Sequence, residues 1–105
     1  MSGAQFGEFL QSLYSVLEER QRTRPEGSYT AKLFDEGEDA ILRKIAEEAT
    51  EVLLAVKGGA ADEKLPHDEL VWEASDLLFH LLVLLVQRGV TLGEIHAELD
   101  RRHKG

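Results

Sequence analysis

The chain has no cysteine among its 105 residues, so disulfides and thiolate metal sites are excluded. That fits a reducing cytoplasm, where the protein is expected. Proline occurs only at positions 25 and 66, so little interrupts a helix. No apolar run reaches bilayer length. The longest covers ten residues, 77–86, with His80 its only polar member, about half of what a spanning helix needs. The first ten residues have neither a basic stretch nor a long apolar run, so no secretory signal is expected. Base is scarce too: 20 acidic residues face 12 basic ones, a formal net charge of −8. General nucleic-acid binding is thereby disfavoured, because phosphate neutralisation needs surplus Lys and Arg. Docking on an anionic membrane is disfavoured for the same reason.

What is present fits one domain, residues 1–105. A chain this long buries roughly 65% of its unfolded surface, enough for a core without staples. The charge is uneven. Residues 35–76 hold thirteen acids and four bases, a net of −9, and the rest of the chain has a net of +1. Solvated helix faces are the ordinary explanation for such a run.

The apolar pattern is helical throughout, and no alternating run asks for a strand. A first helix is expected over 6–20, with Phe6, Phe9, Leu10, Leu13, Val16 and Leu17 as its stripe. Pro25 and Gly27 break the chain. Ser28 suits the cap of a short helix over 30–36, ended by Gly37. A long helix follows over 38–57, its core stripe Ile41, Ile45, Ala49, Val52 and Val56, with Leu42 and Leu53 alongside. Residues 58–65 read as a surface loop. Pro66 opens a second long helix that ends near Arg88, before Gly89. Thr91 and Glu94 form a capping box for a last helix to about Arg102. The expected fold is all-α, a bundle of four to five helices.

Two segments carry the chemistry: Glu47, Glu48 and Glu51 on the third helix, Glu73 and Asp76 on the fourth. Glu48 and Glu51 fall about 60° apart on one flank of their helix, with Lys44 between them. On the fourth helix Glu69, Glu73, Asp76, His80 and Gln87 also fall within about 60° of one another. The remaining circumference is mostly apolar, so this polar stripe is expected to face the interior or a cleft. Clustered, desolvated carboxylates repel one another and need a positive partner. One lysine does not suffice; a divalent cation does. Antiparallel helices that each give acids at i and i+3 build such a site. All-oxygen ligation favours Mg²⁺, then Mn²⁺. The competing explanation is that Glu47, Glu48 and Glu51 are plain surface charges.

The pattern EExxE followed by ExxD resembles the MazG-like all-α nucleotide pyrophosphohydrolases. Within them it resembles most the phosphoribosyl-ATP pyrophosphatases of histidine biosynthesis. Three stretches carry the likeness. They are SYTAKLF at 28–34 followed by Gly37, KIAEEATEVLLAVK at 44–57, and EASDLLFHLLVLL at 73–85. Ala46, Ser75 and Phe79 depart from the usual residues, and none stands at an expected ligand. The resemblance implies Mg²⁺-dependent hydrolysis of phosphoribosyl-ATP to phosphoribosyl-AMP and pyrophosphate by a MazG-like homodimer. It implies Glu48, Glu51, Glu73 and Asp76 as metal ligands. Glu47 matches the first acid of the motif, a ligand to a second metal or a water-activating base, and Glu48 shares the latter role. It also implies a functional link to a phosphoribosyl-AMP cyclohydrolase, for which a chain of this length has no room.

Lys44, Lys32 and Lys57 are candidate contacts to substrate phosphate. Ser28, Tyr29 and Thr30 are candidate substrate contacts through the resemblance, besides capping. Arg20, Arg22 and Arg24 read as a favourable helix terminus before a phosphate site. His80 reads as a hydrogen-bonded core histidine before a catalytic one. Trp72 and Phe79 read as core or dimer contacts. Two other functions compete. A hydrolase of ordinary or damaged dNTPs shares the acids but not the SYTA segment. A non-catalytic helical module would leave the acids as surface charge.

Overall fold

The computed structural model describes residues 3–57 and 66–104. The loop expected over 58–65 lies outside the described residues, as do residues 1, 2 and 105. Five helices follow one another: α1 (Gly3–Thr23), α2 (Tyr29–Glu36), α3 (Glu38–Lys57), α4 (Pro66–Arg88) and α5 (Leu92–Arg102). Among the described residues there is no strand. No helix there is long and apolar enough to cross a membrane.

Local chemistry sets the helix ends. Ser28 Oγ accepts from the Ala31 N–H at 3.1 Å, as an N-cap should. Thr91 and Glu94 form the full capping box at the start of α5. At the end of α4, Gly89 N–H donates to the Val86 carbonyl and Val90 N–H to the Leu85 carbonyl. That pair of bonds is a Schellman motif. It needs a left-handed residue, and Gly89 supplies it at φ 70.

α3 and α4 form the most extensive pair. Glu38 bonds Arg88, Glu48 meets His80 and Glu51 meets Glu73. Residues early in α3 thus meet residues late in α4, so the pair is antiparallel. α1 packs on α4 and on α2, and α2 packs on α3. The core joins Tyr14 and Leu17 of α1, Leu33 and Phe34 of α2, Ile41 of α3, and Leu82, Val83 and Val86 of α4.

Two stripes differ from the sequence expectation. On α1, Tyr14 and Leu17 are buried and Leu10 and Leu13 pack beside them, whereas Phe6, Phe9 and Val16 are exposed. Tyr14 fits inside because its hydroxyl donates to the Val90 carbonyl at 2.7 Å, which relieves the cost of burying it. On α3 the inward face is Ile41, Ile45, Glu48, Val52 and Ala55, while Ala49 and Val56 point outward. The face is turned by about 40° from the expected stripe. The cause is Glu48, which turns inward because α4 presents a polar stripe for it to meet.

Candidate active site

On α4 the expected polar stripe does face inward. Glu73 and His80 are buried, and Glu69, Asp76 and Gln87 are half-buried. Opposite, α3 contributes buried Glu48, with exposed Glu51 one turn on. Antiparallel pairing brings these acids into two couples. Glu51 faces Glu73 closely enough to raise its pKa. Glu48 Oε1 lies directly against His80 Nδ1.

The electrostatics follow from that placement. Burial pushes the Glu73 carboxyl up to about 7, helped by the hydrogen bond and charge of Glu51 and by the charges of Asp76 and Glu69. Glu48 is raised as well, first by burial and further by Asp76; His80 and Lys44 pull it down.

Buried Glu48 Oε1 and Glu73 Oε2 have no hydrogen bond of adequate geometry. Such atoms call for an explanation, an ion among them. Among the described residues no three acidic or histidine side chains are gathered closely enough to hold a metal ion as they stand. The donors nevertheless fit a hard divalent cation chemically: every oxygen is a carboxylate, two are buried without a hydrogen bond, and the acids' mutual repulsion raises Glu73.

The histidine is held on both sides. A carbonyl only accepts, so the 3.0 Å contact to the Asp76 carbonyl places the hydrogen on His80 Nδ1. At Nε2 the ring meets the Tyr29 hydroxyl at 2.8 Å. Tyr29 and Phe79 both meet the imidazole edge-on, at 5.9 and 5.2 Å between centroids. His80 is thus the hydrogen-bonded interior histidine expected from its apolar segment.

The remaining candidates divide. Lys44 lies 3.9 Å from Glu47 and its charge reaches Tyr29 and Glu48. Glu47 itself is exposed. Ser28 is engaged as a cap, and Thr30 is half-buried beside it. Lys32 is exposed and, with Ser28, Tyr29 and Arg24, lines an open depression of about 490 Å³. Arg24 is bound to Asp35 at 2.5 Å and covers the Phe34 ring, which leaves Arg20 and Arg22 in the last turn of α1. Lys57 closes α3, six residues or about 9 Å along the helix beyond Glu51. Glu69 is the acid that the motif reading passed over; it adds to the charge that raises Glu73. Its place in the α4 polar stripe was the available signal.

The family model for phosphoribosyl-ATP pyrophosphohydrolase matches residues 10–103. The chain belongs to this family. The phosphoribosyl-ATP pyrophosphohydrolase match takes in both acid-bearing helices and the Ser28 segment. The chain is 49% identical to the phosphoribosyl-ATP pyrophosphatase of Leptospira biflexa over 96 residues, 91% of this chain and 98% of that protein. It is 50% identical over 97 residues to the histidine biosynthesis bifunctional protein of Caldanaerobacter subterraneus subsp. tengcongensis. It is 47% identical over 94 residues to the protein of the same name in Bacillus subtilis. It covers 92% and 90% of itself in those two alignments but spans only 44% and 42% of those relatives.

Proposed function

We propose that the chain hydrolyses phosphoribosyl-ATP to phosphoribosyl-AMP and pyrophosphate, the second step of histidine biosynthesis, in the cytoplasm and with Mg²⁺. One observation carries the reading: the family match spans 10–103, across both acid-bearing helices. Glu48, Glu51, Glu73 and Asp76 would hold the metal, with Mn²⁺ a substitute. Bound there, the cation offsets phosphate charge and lowers the pKa of water. The protein's own groups supply the rest. Glu48, whose basicity is raised by burial, takes the proton of the attacking water, since a base poised nearer neutrality is more effective. Glu47, held towards Lys44, is the second candidate. Lys44 beside Glu48 offers charge to the substrate phosphates, with Lys32, Lys57, Ser28, Tyr29 and Thr30 as further contacts.

The active form is proposed to be a homodimer. The bifunctional relatives support a partnership with a separate phosphoribosyl-AMP cyclohydrolase, which would consume the product. The deciding assay offers phosphoribosyl-ATP and a panel of dNTPs to the purified protein with Mg²⁺. Turnover of phosphoribosyl-ATP with release of pyrophosphate is expected. Turnover of dNTPs alone would overturn the assignment.

A further inference from the structure

We infer that Tyr29 and His80 are positioning residues: the phenol fixes the imidazole, and the imidazole fixes the buried Glu48 carboxylate. The inference rests on the proposed reading of Glu48 as a metal ligand. Three helices meet in this chain of contacts. Tyr29 opens α2 directly after the Ser28 cap, His80 stands on α4 and Glu48 on α3.

Both ring nitrogens are engaged. The Asp76 carbonyl accepts from Nδ1, and the Tyr29 hydroxyl bonds Nε2. The imidazole is 6% exposed and packs edge-on against both Tyr29 and Phe79, so packing and its two bonds hold its orientation. That orientation sets Nδ1 directly against Glu48 Oε1, a buried oxygen without a hydrogen bond. The same nitrogen binds the backbone of Asp76, a second proposed ligand. His80 therefore references one acid side chain on α3 and one acid-bearing backbone unit on α4 to a single rigid ring. Outer groups that orient ligands in this way typically change metal affinity or activity by about 10- to 100-fold when removed. Tyr29 is 49% exposed, so this ordering reaches from the surface of α2 to a buried carboxylate.

The test compares the parent with Tyr29→Phe, His80→Phe and His80→Asn. The first removes only the hydroxyl. The second keeps a ring without polar atoms, and the third returns an N–H near the place of Nδ1. Mg²⁺ alone is titrated against melting temperature, and kcat and KM are measured on phosphoribosyl-ATP. The half-saturating Mg²⁺ concentration is expected to rise about tenfold in Tyr29→Phe and up to about 100-fold in His80→Phe. His80→Asn should recover a large part of that loss. KM should move far less than kcat. Half-saturation unchanged in Tyr29→Phe and His80→Phe, or no advantage of Asn over Phe, would overturn the inference. A parent whose melting ignores Mg²⁺ would overturn it too. If His80→Phe fails to fold, Tyr29→Phe decides alone, at a half-exposed position. A parent that binds Mg²⁺ with this order of variants but leaves phosphoribosyl-ATP intact would sink the substrate reading and support the relay.

Discussion

Glu51 of α3 lies close enough to Glu73 of α4 for its hydrogen-bonding and its charge to raise the Glu73 carboxyl, so two acids crowd one place. The Glu73 carboxyl is raised to about 7, first by burial and then by Glu51. Its folded pKa thus lies above its ordinary value, and the folded state holds the proton more tightly than the unfolded chain. The stability this contributes is full below the ordinary carboxylate pKa and is lost as pH rises through about 7. Metal-free protein, kept in chelator, should therefore melt several degrees lower at about pH 7.5 than at about pH 5. Glu73→Gln should flatten that slope. An equal slope in the variant would show that another group is responsible.

The same repulsion gives the metal its leverage. A cation that binds only the native protein stabilises it by about 2.7 kcal/mol at 100 times its Kd. Saturating Mg²⁺ should raise the melting temperature, most strongly near neutral pH, where Glu73 begins to ionise. Asp76→Asn should abolish the rise. Glu48→Gln, Glu51→Gln, Glu73→Gln and Asp76→Asn should each lower kcat/KM on phosphoribosyl-ATP by at least about 100-fold, in line with loss of a general base or metal ligand. A non-catalytic helical module would show neither effect. Calorimetric melting and pyrophosphate release separate the two outcomes.

The legible parts of this fold were the local ones. Ser28, the Thr91–Glu94 box and Gly89 act on bonds within a few residues of themselves, and each sits where its type suggested. The α4 stripe was legible because Glu73, Asp76 and His80 interrupt a helix that is otherwise apolar. The α3 face was misjudged because a helical wheel assigns glutamate to solvent, whereas Glu48 is 8% exposed. Its burial depends on His80, which lies 32 residues further on and only meets it through the antiparallel pairing. The couple between Glu51 and Glu73 depends on the same register. Sequence spacing put four acids on two helices but carried no information on which would face which.

Tyr14 shows the same limit away from the site. Nothing near it in sequence signals that its ring turns inward, because its partner, the Val90 carbonyl, is 76 residues away. The bond pins α1 to the corner between α4 and α5. Tyr14→Phe keeps the ring and removes the donor, leaving a carbonyl unpaired. A loss of about 1 kcal/mol is expected, or roughly 4–8 °C in melting temperature for a domain of this size. Mg²⁺ half-saturation should not change, since the lost bond joins Tyr14 to Val90 and not to the acid-bearing stripe. A shift in both would mean that the corner is coupled to the site.

The last prediction concerns assembly. Leu53, Leu54 and Val56 of α3 and Val71 and Trp72 of α4 are 54–66% exposed. The register that joins Glu51 to Glu73 brings these two groups to the same end of the helix pair. Large exposed apolar side chains near one end of a helix pair are material for an interaction surface. A closed two-fold contact would cover them, because a self-complementary patch needs no second kind of surface. It would also enclose the rim of the acid site, since Glu51 and Trp72 stand beside this end. Sedimentation at micromolar concentration should therefore give twice the 11.8 kDa chain mass. Leu53→Glu or Trp72→Glu should place a desolvated charge at the contact and shift the protein to monomer. If the dimer completes the site, that monomer should also lose turnover while keeping its helical signal. A parent chain that sediments as a monomer would show that the exposed face serves something other than a second copy.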